Sequence, residues 1–338
     1  MKEKNQTFLC LDLLRIIAMF MILGVHITQH YSFPGAVLFS CGSGGVYIFF
    51  CLSGFLAFLS LDKGISYTKY IKKRLLKIIP SYYLLLILVI FWRLYGPLGN
   101  MPEDAWKLGW IRYFLCLQTV VPSNHFEWNN SYGLWTISCF VFFYIMAPVL
   151  KKYIINMKRA IGGILILMFL CEVVQSIARI VFSYIPIAIE KPDVLVGSSP
   201  INNLYAFMFG IMAYYMVKQK DKSIGIFFSS IILLISCMIS NEKLLWCIIA
   251  VLFIAGGKDI HIKLNVRWER FIRFISNISF QVYLIHMLVI EMVNSVSITK
   301  NINSNIQLAI VLIGIIIGAF GLYLFDLFVK KLVTIKEH

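Results

Sequence analysis

Charged residues are scarce in this chain. Only 14% of its 338 residues are Asp, Glu, Lys or Arg, whereas 60% are hydrophobic. Charged residues make up about a quarter of an ordinary soluble domain, so the composition excludes a soluble globular protein. It predicts an all-α, polytopic integral membrane protein.

The cysteines lack the spacing of a metal or redox site. The chain has eight of them, no two form a CxxC pair, and most lie inside apolar runs. This pattern is typical of small apolar side chains and not of a disulfide framework or a metal centre. We therefore expect no metal and no bound cofactor.

We expect no appended soluble domain. The sequence has no internal repeat and no low-complexity tract. The first hydrophobic stretch is followed by many more and by no small-residue cleavage site, so we expect the N-terminus to stay attached. The net charge is +15, but the basic residues fall in short loops between hydrophobic runs and not in groups with aromatic residues. We expect them to set topology and contact membrane lipid, with no nucleic-acid partner.

The apolar runs predict about ten transmembrane helices. Most of the 31 Lys and Arg residues fall on one side if both termini are cytoplasmic. Between the third and fourth runs, residues 106–121 could form a helix on the outer surface. The runs cover residues 10–29, 44–61, 78–95, 133–150, 160–182, 203–217, 223–240, 243–257, 273–293 and 306–329.

The first run carries Asp12, Arg15 and His26, although ionisable groups are costly inside a membrane. Eleven residues at about 100° each bring Arg15 and His26 to one helix face, roughly 16 Å apart along the axis. Arg15 alone could snorkel to the interface beside Asp12, and His26 alone could be a satisfied buried histidine. The pair on one face favours a functional role, with Arg15 towards the cytoplasm.

Three further places could carry chemistry. Gly44 and Gly45 open the second run, where free N–H groups could stabilise an oxyanion, or small residues could allow tight helix packing. Tyr283 and His286 share a face with Ser279, and His286 could be functional or make an interhelical hydrogen bond. The cations Lys73, Arg74 and Lys77 should open on the same surface as Arg15, which would suit a phosphate-rich cytosolic ligand.

Together these segments resemble acyltransferase family 3, membrane proteins that O-acylate surface polysaccharides, lipid-linked sugars and related acceptors with acyl-CoA. The resemblance covers essentially the whole chain, as a single transmembrane acyltransferase domain over residues 1–338. This chain departs from the family pattern at three places. Many family members have Asp where this chain has Tyr47, Arg where it has Lys77, and Glu in the fourth span, near Cys139. The matching elements are Leu11 to Arg15 with His26, residues 45–55 including Ser53, residues 74–80, Leu134 and Trp135 with Tyr144 and Pro148, and Ser279 to His286.

The resemblance implies transfer of an acetyl group across the membrane to sugar hydroxyls of a capsular, exo- or other cell-surface polysaccharide or its lipid-linked precursor. Acetyl-CoA, the donor substrate, would bind Arg15, Lys73, Arg74 and Lys77, and His26 would act as general base or carry the acyl group. Asp12, Gly44, Gly45, Ser53, Trp135, Tyr283 and His286 would support the site. The expected location is a cell membrane, most simply the bacterial cytoplasmic membrane. A transporter or flippase of lipid-linked saccharides is the alternative, since intramembrane Arg and His also mark substrate pathways.

Overall fold

The computed structural model describes residues 2–97, 109–119, 133–184, 196–219, 222–257, 264–296, 299 and 302–335. Within these ranges the chain is helical and contains no strand. A short 3₁₀ helix, Ala36–Phe39, lies between the first two long helices. The α-helices are α1 (Lys2–Thr28), α2 (Gly44–Leu61), α3 (Tyr67–Tyr95), α4 (Gly109–Phe114), α5 (Trp135–Tyr153), α6 (Met157–Tyr184), α7 (Pro200–Lys218), α8 (Ser223–Met238), α9 (Glu242–Gly257), α10 (Val266–Ser295) and α11 (Ser304–Ile335).

Each of the ten predicted apolar runs coincides with a long helix. Seven of the helices in the described ranges, namely α1, α2, α3, α5, α6, α10 and α11, are long and apolar enough to cross a membrane. The short α4 falls inside the predicted surface helix, of which only residues 109–119 belong to the described part. Seven spans are therefore supported, whereas ten spans with cytoplasmic termini stay a prediction.

Helix α7 explains part of the difference between ten and seven. Every residue from Asn202 to Met216 in this helix is buried, because α2, α5, α6 and α9 pack around it. A helix covered by protein does not need the apolar surface that lipid demands. Asn202 and Asn203 are therefore tolerated near its first turn, where the Ser199 hydroxyl accepts a hydrogen bond from the Asn202 N–H at 3.3 Å.

Small residues bring α2 against its neighbours backbone to backbone. A Cβ atom at Gly54 would lie 2.0 Å from the carbonyl oxygen of Phe207, and one at Gly210 would lie 1.8 Å from that of Cys51. A Cβ at Gly45 would lie 2.4 Å from the carbonyl oxygen of Ala18 in α1. Such contacts are those that small residues permit between membrane helices, and they hold α1, α2 and α7 in one central group.

Helices α1 and α10 run side by side in the same direction. Near their N-terminal ends, the Ser276 hydroxyl donates to Asp12 Oδ1 at 2.6 Å. Near their C-terminal ends, the rings of His26 and His286 are 5.1 Å apart between centroids. This parallel pair therefore carries ionisable groups at two levels of the bundle.

Candidate active site

The two histidines lie together at the level of the C-terminal ends of α1 and α10. His26 lies in the last turn of α1 and is half-buried, whereas His286 is only 1% exposed. Their rings are tilted by 39°, and the Tyr283 ring lies 5.8 Å from that of His286. The structure thus brings together three residues that the sequence placed on two separate helix faces.

Hydrogen bonds define the tautomer of each ring. Nδ1 of His26 lies 3.2 Å from Oε1 of Gln29, and Nδ1 of His286 lies 2.6 Å from the carbonyl oxygen of Tyr283. A backbone carbonyl can only accept, so Nδ1 of neutral His286 carries the hydrogen, and the amide oxygen of Gln29 favours the same tautomer in His26, with a lone pair on Nε2. His26 is therefore arranged to take a proton, or to attack a carbonyl carbon, through Nε2.

His286 makes no interhelical hydrogen bond in the part of the chain that the structure describes. Its Nδ1 atom bonds to its own helix, and its buried Nε2 atom has no hydrogen-bond partner there. The interhelical hydrogen bond that the sequence also allowed for His286 is therefore not observed. A buried acceptor without a partner costs free energy. This cost, at a position beside His26, favours a functional role for His286 over a structural one.

A large cavity opens beside His26. It has a volume of about 1050 Å³ and is walled by α1, α2, α5, α6, α7 and α9 with the turn before α9. Aromatic and polar side chains share the wall, which is the composition expected of a site that binds a polar organic ligand. The lining includes His26, Gln29, Tyr47, Trp135, Glu172, Gln175, Asn202, Tyr205, Asn241, Glu242 and Lys243.

Arg15 organises the opposite level of the bundle. Its Nη1 atom donates to Asp12 Oδ1 at 3.2 Å and to the Ser276 hydroxyl at 2.9 Å. The side chains of Arg15 and Asp12 are each 17% exposed, so Arg15 is held within the bundle and does not reach freely into solvent. Asp12 orients and neutralises Arg15, and Ser276 is a third member that the sequence analysis missed.

Basic residues surround a second cavity, of about 260 Å³, next to Arg15. Its wall contains Arg15, Lys73, Arg74 and Lys77, together with Lys63 from the turn after α2. Arg74 is fixed by its Nη2 atom, which donates to the carbonyl oxygen of Leu56 at 2.5 Å. All four cations predicted from sequence therefore meet at one cavity, and Lys63 adds a fifth.

Two small voids lie between the basic cavity and the large one. The first, of about 80 Å³, reaches from Arg15 past Ser53 to Phe49 and Phe280. The second, of about 20 Å³, is lined by the same two phenylalanines and by Val46, Thr136 and Tyr283. Val46 also lines the large cavity. The four cavities are separate, but each shares wall residues with the next, so they form a series through the interior of the bundle from the basic cavity to the large cavity.

The Tyr283 hydroxyl fixes the wall of the second void. It donates to the carbonyl oxygen of Gly133 at 2.8 Å and lies 2.7 Å from the Thr136 hydroxyl. Gly133 has φ of +62°, a conformation that favours glycine. Tyr283 therefore ties α10 to the N-terminal turn of α5 between the two levels.

The predicted oxyanion donors are engaged elsewhere. The N–H of Gly44 donates to the carbonyl oxygen of Cys41 at 3.1 Å, and that of Gly45 donates to Gly42 at 3.1 Å. A Cβ atom at Gly44 would collide with the Trp246 ring. The structure favours the packing role that the sequence also allowed for these glycines. Trp135 lines the large cavity and packs edge-on against Phe50, with 5.9 Å between ring centroids.

The sequence analysis missed several residues of the site for different reasons. Gln29 follows His26 by three residues, so helical spacing could have revealed it. The wall residues from α6, α7 and α9 are more than 140 residues from His26 in sequence, and no local pattern links them.

An oriented imidazole at one level of the bundle and a cluster of cations at the other suit a membrane-embedded enzyme that transfers a chemical group from one substrate to another. A comparison with known families agrees, because the model of the acyltransferase domain of acyltransferase family 3 matches residues 8–324. The chain belongs to this family and is an acyltransferase for groups other than amino-acyl groups. No curated protein and no solved structure matches the chain.

Proposed function

We propose that this protein is an acyl-CoA-dependent O-acyltransferase, and most simply an acetyltransferase, that modifies sugar hydroxyls of a cell-surface polysaccharide or its lipid-linked precursor. The observation that carries the proposal is the series of neighbouring cavities, with shared wall residues, from the Arg15 cluster to His26. A donor held by its phosphates at one level could present its thioester at the other.

The basic cavity supports the donor half of the proposal. Lys63, Lys73 and Lys77 have no carboxylate within ion-pair distance in the described part of the chain. Arg15 and Arg74 are held in place by neighbouring groups. Such a cluster suits the phosphates of acetyl-CoA, since cations bind phosphate through charge-assisted hydrogen bonds. The pantetheine arm would pass Ser53, Phe49 and Phe280.

The large cavity supports the acceptor half. Its aromatic and amide side chains suit a saccharide, and His26 lies in its wall. His26 Nε2 would take the proton of the attacking sugar hydroxyl, the new C–O bond would form as the C–S bond breaks, and the thiolate of CoA would receive the proton. In the other route that this geometry allows, Nε2 attacks the thioester and the C–S bond breaks to release CoA as thiolate. The sugar hydroxyl then takes the acyl group from Nε2, and its proton passes to the thiolate.

Labelled acetyl-CoA supplied to membrane vesicles tests the proposal. We expect His26→Ala and Arg15→Ala each to abolish ester formation, because the first removes the base or nucleophile and the second removes a donor contact. His30→Ala is the matched control, since His30 lies one turn further and outside the cavity wall. Ester formation that survives both substitutions would overturn the catalytic assignment. Movement of unmodified glycan without acetylation would instead favour a transporter.

A further inference from the structure

We propose that the large cavity binds a saccharide with an anionic group, a carboxylate or a phosphate, and that Lys243 binds this group. The proposal rests on the function proposed above and narrows the class of the acceptor. Lys243 lies in the first turn of α9 and lines the cavity that His26 also lines. Among the described residues that line this cavity, Lys243 is the one Lys or Arg side chain, and it does not line the basic cavity.

Lys243 is oriented inwards. The side chain is half-buried, and Nζ lies 5.9 Å from the centre of the Tyr47 ring, which is itself only 8% exposed. A lysine at the rim of a membrane protein ordinarily extends its ammonium group towards water. Here the ammonium group lies beside the buried ring of Tyr47, which also lines the cavity.

No carboxylate in the described part of the chain lies within ion-pair distance of Lys243. Glu172 and Glu242 line the same cavity, and Glu172 lies near enough to attract the Lys243 ammonium group, but both carboxylates are exposed and neither forms an ion pair with it. The Tyr47 ring offers a cation–π contact, which is weaker than an ion pair with a carboxylate. A partly buried cation is costly without a directly paired anion, and a ligand that carries an anionic group would supply the direct pair.

The remaining wall fits a sugar around that anion. The amide side chains of Gln175, Asn202 and Asn241 can bind hydroxyl groups, and the ring of Trp135 can cover an apolar sugar face. The cavity of about 1050 Å³ is at the upper end of small-molecule sites, so there is room for more than one sugar ring. His26 and Lys243 would then contact different parts of one acceptor.

Matched pairs of small saccharides test the inference on the full-length protein in nanodiscs. The probes are galacturonic acid and galactose 6-phosphate, each compared with galactose, and the measurement is the dissociation constant at low salt. We expect each anionic sugar to bind roughly tenfold more tightly than galactose, the size expected of one charge-assisted hydrogen bond. The advantage should shrink at high salt. A preference for only one of the two would identify the anion as carboxylate or phosphate.

Lysine variants assign the effect to one side chain. Lys243→Met should abolish the tighter binding of the anionic sugars relative to galactose, whereas Lys243→Arg should retain it. Lys152 is an exposed lysine at the end of α5, and Lys152→Met should leave the difference in binding unchanged. Equal binding of anionic and neutral sugars, including equal failure to bind, would overturn the inference, as would an advantage that persists in Lys243→Met. The proposed function fails separately, if the wild-type protein binds the anionic sugar but no vesicle assay detects ester formation.

Discussion

At the scale of single residues, the state of His26 depends on Gln29. The amide oxygen of Gln29 holds the hydrogen of His26 on Nδ1 and leaves Nε2 free to act as base or nucleophile. An unsupported imidazole populates both tautomers and several orientations, of which only some are reactive. Gln29 is therefore a positioning residue, and its effect should be seen in the rate and not in the binding of either substrate.

We expect Gln29→Leu to lower kcat by about tenfold with little change in the KM for acetyl-CoA, because it removes the acceptor for Nδ1–H. Gln29→Glu should keep the orientation and move the acid limb of the pH–rate profile to higher pH, since a carboxylate favours the protonated imidazole. Initial rates of ester formation across a pH series measure both effects. Gln219→Leu, at the far end of α7, is the matched control. An unchanged profile in Gln29→Glu would rule out this role.

At the scale of secondary-structure elements, an ionic cluster joins three helices at the level of the basic cavity. Asp62, in the turn after α2, accepts hydrogen bonds from Lys218 Nζ at 2.9 and 3.0 Å and from Lys151 Nζ at 3.1 Å. Both lysines also donate to the Tyr214 hydroxyl, at 3.1 and 3.4 Å. The cluster fixes the turn that presents Lys63 to the basic cavity.

The hydrogen bond from Lys218 is the main cause that lowers the pKa of Asp62 to about 2. Because the pKa of Asp62 is lower in the folded protein than in the unfolded chain, where it is about 4, the ionised carboxylate stabilises the fold fully at pH values above about 4. This stabilisation is lost as the pH falls from about 4 to about 2. Because the pair is a third or more exposed, the contribution is about 1 kcal/mol or less.

We therefore expect Asp62→Asn to unfold at a slightly lower temperature than the wild type at pH 7, and the difference to vanish towards pH 2. Thermal unfolding in detergent, followed by circular dichroism, measures this difference. Asp62→Glu, which keeps a carboxylate, should retain part of the stabilisation. A difference between wild type and Asp62→Asn that does not depend on pH would contradict the ionic origin.

The helices were predictable to different degrees for physical reasons. Apolar runs longer than about 18 residues identify lipid-facing spans directly, which is why α1, α10 and α11 were evident. The motif of Arg15 and His26 was equally local, since both lie on one face of one helix. The cavity wall was not predictable, because Asn202 and Lys243 come to the same cavity as His26 only through the packing of α7 against α2 and of α9 against α1 and α2. Such contacts depend on tertiary structure and leave no period in the sequence.

At the scale of the whole molecule, the proposed function requires the two cavities to open into each other, so that the donor and the acceptor can meet. The narrowest place is the void of about 20 Å³ lined by Val46, Phe49, Phe280 and Tyr283. Val46 also borders the large cavity, so a larger side chain there would fill this void and block any opening between the two cavities without touching the basic cavity. Arg15 and His26 would keep their places, since neither lines this void.

We expect Val46→Trp to reduce acetyl transfer at least about tenfold, because the thioester can no longer be held within reach of His26. Binding of CoA should be unchanged, since the Arg15 cluster is intact, and equilibrium binding of labelled CoA to the protein in nanodiscs would show this. Val149→Trp, on the exposed side of α5, is the matched control and should leave both quantities unchanged. Full activity of Val46→Trp would mean that the acyl group reaches His26 by another route. Loss of CoA binding in Val46→Trp would mean that the donor enters from the large cavity.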